Sequence, residues 1–453
     1  MVFAYNRHLD KTQDITDPSV TQPDETSEAK EAAYEKFVWD NLKRNYIGNY
    51  LHGMLGMTGF RLVNAPTFLP TYIHLISGSN AIVGLGMALQ QVGSIISPII
   101  GANQIEHRTK VMPAALWMGG LARVQIVGMA LAGWFLKGQT LIVAMLAFMF
   151  MFGLFMGAQR VVFGMLMAKV IPLSRRGRLQ AWRNATGGLI AAVLAWVAGK
   201  YIIQGNLFGN GYSTTFLLAA FLTTTGLWAL QLLLREPEPP NLPAKAKLRD
   251  RMKAFPQLIM SDKGYAAFLV VQMLTIAARM AAPFYAIYVT SSLPLASQVL
   301  GLGALSLAFL GADTASNLVW GYLGDKTGFR LVLLFSFTIW IAATLLLMTL
   351  HTPVMVFIAF FGLGAAQSAY MMASNTMILE FGTRDEMPMR IALSSTAEGI
   401  VGTIAPLAGG LIADHMGYNI VFGISIGFLL ASLLLLIVMV KEPRLARRQA
   451  TSS

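Results

Sequence analysis

The chain has no cysteine in its 453 residues. That absence excludes disulfides, thiolate catalysis and cysteine-ligated metals. Charge is scarce too: 12% of residues are Asp, Glu, Lys or Arg, against about 25% in ordinary soluble domains. No G-x-x-x-x-G-K-[ST] phosphate loop occurs, the six histidines form no metal-ligand cluster in the sequence, and no nucleophile–base arrangement is present. An enzyme is therefore the least supported class, and neither cofactor nor metal is expected. Residues 1–46 carry nine acids and no apolar core, so a signal peptide is not expected.

What is abundant is apolar. Hydrophobic residues make up 55% of the chain, with a mean hydropathy of +0.58. Runs of about 20 apolar residues cross a bilayer as helices. Twelve are found, at roughly 47–76, 81–101, 113–136, 139–168, 181–203, 213–234, 265–290, 298–321, 331–350, 354–381, 391–413 and 420–440. All are too long for strands, which excludes a transmembrane barrel and leaves an all-α polytopic membrane protein.

The net charge of +12 would suggest nucleic acid in a soluble chain, but its placement argues otherwise. Only Lys137, in a loop, and Lys200, at the end of span 181–203, are assigned to one side. The remaining loop and tail cations lie on the other, which the positive-inside rule makes cytoplasmic together with both termini. The expected partner is the lipid bilayer of a bacterial-type inner membrane, without nucleic acid, and the chain is expected to be a monomer.

Five regions follow: a cytoplasmic tail at 1–46, a six-helix bundle at 47–234, a central cytoplasmic loop at 235–264, a second bundle at 265–440 and a tail at 441–453. The first tail reads as disordered to about Asp24, then helical from Ser27. Ala33, Phe37, Val38 and Leu42 recur at helical spacing, which suits either an amphipathic helix on the inner leaflet or a solvated tail with a little packing. The central loop holds Pro237, Pro239, Pro240 and Pro243, then Lys245, Lys247, Arg249, Arg251 and Lys253.

The two bundles repeat one another. Phe152-Gly153-Leu154 with Ala158-Gln159 matches Phe361-Gly362-Leu363 with Ala366-Gln367, and the loop from Ala102 to Lys110 matches Gly321 to Arg330. Paired six-helix repeats are a transporter signature, with substrate held near the midplane between them.

The string Gly321-Tyr322-Leu323-Gly324-Asp325-Lys326-Thr327-Gly328-Phe329-Arg330 resembles the G-x-L-x-D-[RK]-x-G-[RK] loop of the major facilitator superfamily. In the first-half copy Ala102 replaces the first glycine, Glu106 the aspartate and Thr109 the second glycine, with Arg108 and Lys110 retained as basic positions. Ile171-Pro172 with Arg175-Arg176-Gly177-Arg178, and Gly402, Pro406, Gly409 and Gly410, add to the likeness, which spans about 47–440. It implies two pseudo-symmetric six-helix bundles, alternating access, and a cytoplasmic gating latch at the loop motif. Asp325 would cap a neighbouring helix, Lys326 and Arg330 would pair with Glu380, and Glu106, Arg108 and Lys110 would form the first-half counterpart. Static loop salt bridges are the alternative. The Gly-Pro-rich fifth span of the antiporter branch is missing, since residues 184–199 contain no proline; that weighs against a drug–proton exporter.

Arg61 and Arg279 lie inside apolar spans at matching places: Arg61 precedes Pro66, Phe68 and Tyr72, and Arg279 precedes Pro283, Phe284 and Tyr288. A charge at membrane depth marks a functional site by default. Thr58, Arg61, Asn64 and Tyr72 share one face of span one, as do Gln272, Thr275 and Arg279 of span seven. The resemblance points these faces to the central cavity and is similar to the organophosphate–phosphate antiporter branch in its two arginines. A guanidinium fork suits carboxylate or phosphate. Substrate-contact candidates are thus Arg61, Arg279, Arg160, Asn64, Gln159, Gln272 and Gln367, with structural pairing of the arginines to intramembrane acids as the alternative. Arg123 is expected to snorkel or pair locally. Asp313 and Glu398, the acids clearly within spans, are the proton-coupling candidates, with a permanently ionised Arg pair as the other outcome. His52 and His74 flank span one as interfacial residues.

The four arginines weighed here, Arg61, Arg123, Arg160 and Arg279, against the two carboxylates Asp313 and Glu398 favour an anionic solute. The expected function is secondary active transport of a small anionic organic solute, coupled to protons or by exchange. The alternatives are an efflux pump for amphipathic compounds, favoured by 26 Met and 26 Phe, and a transporter-like scaffold or sensor.

Overall fold

The computed structural model describes residues 25–105, 108–238, 258, 260, 262–381, 386–440 and 442, and its secondary structure is entirely helical. Helix α1 (Glu25–Asp40) precedes the membrane region. The first bundle comprises α2 (Leu42–Asn64), α3 (Phe68–Ser77), α4 (Asn80–Ile105), α5 (Met112–Phe135), α6 (Gly138–Val170), α7 (Leu173–Val197) and α8 (Gly211–Leu233). The second comprises α9 (Lys263–Ala278), α10 (Phe284–Ser292), α11 (Pro294–Thr327), α12 (Phe329–Thr349), α13 (Pro353–Glu380), α14 (Met387–Met416) and α15 (Tyr418–Met439). The expected tail segment before Asp24 and most of the central loop lie outside the described residues.

Spans one and seven are each split, as α2–α3 and α9–α10, and proline is the cause. Ala65 sits before Pro66 and takes an extended ψ of 137°, because the proline ring disfavours the helical region for its predecessor. Pro283 cannot donate to the Arg279 carbonyl four residues back. That carbonyl is satisfied instead by Ala282 N–H at 3.0 Å, in a tight turn over Arg279–Ala281. Among the described residues eleven helical stretches are long and apolar enough to cross a bilayer. The broken first span is the twelfth.

In lipid, every backbone group needs a partner, and several helix starts find one on another element. Glu236, just past α8, accepts from the N–H groups of Val111 and Met112 at 2.6 and 2.8 Å. Glu442, just past α15, accepts from Arg330 N–H at 3.0 Å. These two carboxylates occupy equivalent places in the two halves, in the repeated strings Arg235-Glu236-Pro237 and Lys441-Glu442-Pro443.

The halves meet along α4 with α14 and α7 with α11. Apolar surface gains nothing by leaving lipid for protein, so close backbone approach through small residues sets such contacts. Gly199, in the helical turn just past α7, faces Gly303 in α11 with no room for a Cβ, and Gly410 in α14 likewise abuts Asn80 and Ala81. Asp414 accepts from Asn80 N–H (2.8 Å), Ala81 N–H (2.9 Å) and the Ser79 hydroxyl (2.7 Å). These glycine contacts and the Asp414 bonds lie at the end opposite the basic loops, where they join the halves.

Candidate functional site

A cavity of about 300 Å³ lies between the halves. Val63, Asn64 and Pro66 come from the first span, Gln90 and Gln91 from α4, Arg279 and Pro283 from the seventh span, Gln367 and Met371 from α13, and Glu398, Gly402 and Pro406 from α14. The proline breaks matter here, since they turn the first and seventh spans around the chamber.

The two arginines part company. Arg279 lines the cavity and makes no salt bridge within 4 Å among the described residues; its charge acts on Glu398 and Tyr370 nearby. Arg61 instead leaves the cavity for the α7–α11 interface. Its Nη1 lies 3.0 Å from the Asp313 carboxylate and donates to the Thr314 hydroxyl at 2.8 Å, with side-chain exposures of 19% for Arg61 and 15% for Asp313.

A one-residue slip in the repeat explains the difference. Thr58 and Thr275 are both fully buried, each hydroxyl donating to the carbonyl four residues before it. Placing these threonines and the two prolines in register sets Arg279 opposite Leu62, not Arg61. One residue turns a helical side chain by about 100°, so Arg61 points across to the other half where Arg279 points into the chamber. The expectation of a symmetric arginine clamp is corrected accordingly. Asp313, too, is committed to that bridge.

Glu398 is the cavity's acid. Its Oε1 accepts from Gln272 Nε2 at 3.2 Å and from the Tyr370 hydroxyl at 3.3 Å. Gln272 is fully buried, also donating to the Ser374 hydroxyl (2.7 Å) and accepting from that of Ser394 (3.1 Å). It therefore supports Glu398 from behind and does not line the chamber as expected. Asn64 and Gln367 do line it, and Asn64 accepts from Gln90 at 2.7 Å. The other members of the expected span-one stripe turn away: Thr58 reaches the Gly187 carbonyl, and Tyr72 stacks on Tyr212.

Gln159 is also corrected. It is buried inside the first half, where it accepts from Arg123 Nη1 at 3.2 Å. Arg123 does not snorkel; it is 3% exposed, donates to the Thr223 and Gly119 carbonyls, and lies over the Phe60 ring. His52 is buried within the first half, stacked on Phe163 at 4.5 Å. Arg160 is exposed, off the lining of this cavity, and without a partner among the described residues.

At the basic-loop end the expected pairing of Lys326 and Arg330 with Glu380 is not what forms. Arg330 donates to the Leu436 and Ile437 carbonyls at the end of α15, and Lys326 lies over the Tyr322 ring at 5.7 Å. Helix-end carbonyls and an aromatic face thus take both cations. Lys110 pairs with exposed Glu238 at 3.4 Å, Arg108 is exposed, and Glu106 lies outside the described residues. Asp325 and Glu380 each keep an interaction. Arg390, absent from the candidate set, is buried and bonds Asp262 (2.8 Å) and Glu386 (2.9 Å), tying the start of α9 to that of α14. Gln90 and Gln91, a polar pair in an apolar run, were the sequence signal for the α4 wall.

The sequence profile of the Major Facilitator Superfamily matches residues 51–312 and 267–453. A multidrug resistance protein MdtG from Serratia proteamaculans (strain 568) is 31% identical over 164 residues, 35% of this chain and 39% of that relative. The MdtG of Salmonella choleraesuis (strain SC-B67) is 31% identical over 138 residues, 30% of this chain and 33% of its own length. The matched segment thus spans well under half of these relatives. Among solved structures, a D-xylose-proton symporter superposes with a TM-score of 0.65 at 14% identity, covering 89% of this chain and 99% of that one. The nucleoside transporter NupG gives 0.61 at 13% identity, covering 87% and 98%. At such identities the likeness is one of fold.

Proposed function

The chain belongs to the Major Facilitator Superfamily, and from that premise we propose that it is a secondary active transporter carrying a small organic anion through the central cavity by alternating access, coupled to a proton. The observation that carries this reading is the cavity's single guanidinium, Arg279, set near Glu398 without a direct salt bridge among the described residues. Its fork keeps donors free for a carboxylate or phosphate. A bound anion then competes with Glu398 for one positive charge. Two negative groups around one arginine favour a proton on the carboxylate, so solute and proton load together and leave together. Gln272 and Tyr370 hold Glu398 in place. Asn64, Gln90, Gln91 and Gln367 supply neutral hydrogen bonds for orientation. A volume near 300 Å³ suits a small solute, at the lower end of ligand sites. The basic loops and both termini face the cytoplasm by the distribution of Lys and Arg.

A second reading, export of amphipathic compounds, draws on Met87, Met371, Ile276 and Leu69 in the cavity wall and on the partial likeness to the multidrug resistance protein MdtG. Thermal-shift screening of carboxylates, phosphates and amphipathic cations separates the two, since ligands raise the melting point of the state they bind. Stabilisation by anions alone, lost in Arg279→Gln with about a 10- to 150-fold fall in affinity, supports the first. Stabilisation by cations alone refutes it. In proteoliposomes Glu398→Gln should still exchange solute but lose accumulation driven by a pH gradient.

A further inference from the structure

The basic string that opens α7 takes no part in the transport cavity. Arg176 is spent on the Ile171 and Ala168 carbonyls, but Arg175 and Arg178 are exposed and make no side-chain hydrogen bond or ion pair with any described residue, and the same holds for Lys43 at the start of α2. These three cations converge on one groove of about 570 Å³ between α2 and α7, completed by Leu42, Tyr46, Ile47, Tyr50 and Trp182. Among the described residues no acidic side chain lines it.

We propose that this groove binds an anionic phospholipid, the phosphate among the cations and the glycerol and upper acyl chain along the aromatic wall. The argument is the order of side chains along the helix axes. On α2 the groove runs Lys43, Tyr46, Tyr50; on α7 it runs Arg175, Arg178, Trp182. At 1.5 Å per residue, seven residues span about 10 Å. Polarity therefore falls from full charge to amphipathic ring over the depth at which a phospholipid falls from phosphate to glycerol and upper acyl chain. Tyr and Trp favour that interfacial layer. Trp182 is 53% and Ile47 43% exposed, an apolar surface left for a lipid to cover. A soluble anion would use the cations and leave this lower wall bare. Clustered cations at the cytoplasmic ends of membrane helices fit anionic headgroups, and orientation by the positive-inside rule puts the groove in that leaflet.

The full-length protein in phosphatidylcholine nanodiscs, titrated with phosphatidylglycerol and read by native mass spectrometry, tests this. Each basic residue should contribute about fivefold to retention, so wild type should prefer phosphatidylglycerol about a hundredfold. R178Q should reduce that preference about fivefold, and K43Q/R175Q/R178Q should abolish it. The melting temperature in phosphatidylcholine should stay unchanged, because none of the three bonds to described protein groups; if the triple variant folds poorly, the single R178Q carries the test. Equal retention of the two lipids by wild type overturns the proposal, as does a preference surviving in the triple variant. Displacement of the lipid by inorganic phosphate at equal concentration overturns its lipid character.

Discussion

Neutralising Asp313 is the sharpest perturbation, because its bridge to Arg61 joins the two halves at membrane depth. At 3.0 Å and an effective dielectric of about 20, the direct attraction is about 5 to 6 kcal/mol. Desolvation of both ions consumes much of that, so the intact pair contributes little net. Breaking it is another matter, since a lone buried charge remains, at about 3 to 5 kcal/mol. Both side chains are under a fifth exposed, so water offers limited relief. Asp313→Asn and Arg61→Gln should each lower stability by about 3 kcal/mol in detergent melts or denaturant titrations. The double variant, carrying neither charge, should lie within about 1 kcal/mol of wild type, a coupling of at least about 5 kcal/mol. Singles that add to within about 0.5 kcal/mol would show the two groups to be energetically independent, and the bridge would lose its role in holding the halves.

Three further outcomes are expected. Gly199→Val places a side chain against the backbone of Gly303; overpacking of about 1 to 3 kcal/mol should open that end, seen as a longer spin-label distance between positions 206 and 294. Glu236→Gln should be far more damaging than Glu442→Gln in the same melts. Glu236 pairs with Lys169 at 2.7 Å, the side chains being 4% and 9% exposed, so its loss strands a buried cation at about 3 to 5 kcal/mol, while Glu442 has no ion pair among the described residues and loses about 1 kcal/mol of cap. Asp414→Ala removes a carboxylate from the start of α4, worth about 0.5 to 2 kcal/mol, and should raise the population open at that end without lowering affinity at the cavity.

The architecture was legible because bilayer thickness imposes it. Twelve apolar runs separated by polar loops leave one solution, and the helices fall where the runs do. Facing was harder to read. The landmark pair Gly153 and Gly362 looks equivalent in the sequence, yet Gly153 seats against Gln90 of α4, while the glycine seated against α11 is Gly364, on Phe309. Gly362 faces Ala343 of α12 instead. A slip of one or two residues is invisible to a motif match and rotates every side chain beyond it. Arg61 and Gln272 were misdirected for the same kind of reason. Arg279, Glu398, Asn64 and Gln367 line the cavity, and each stood out in the sequence as a strongly polar or charged residue within an apolar span. Partners across the fold, such as Glu236 for Lys169, had a signal in the repeated Glu-Pro strings that only the geometry makes readable.

The distribution of charge between the halves bears on how they move. No acidic residue falls within any span of the first half, so Arg61, Arg123 and Arg183 have no counter-charge there. Arg123 and Arg183 make do with carbonyls, an amide and the Met167 sulfur. Arg61 alone reaches an acid, and that acid belongs to the other half. Its neutrality therefore depends on α11 staying docked, whereas the polar groups around Glu398, drawn from α9, α13 and α14, travel together in one half. If the halves rock about their interface, the Glu398 network moves as a body, whereas the Arg61–Asp313 bridge must stretch. It follows that Asp313→Asn should change the balance between the two open forms more than it changes solute affinity, while Glu398→Gln should do the reverse. Distances between spin labels on the two halves, measured beside equilibrium binding in both variants, distinguish these roles; equal effects on both readouts would refute the division.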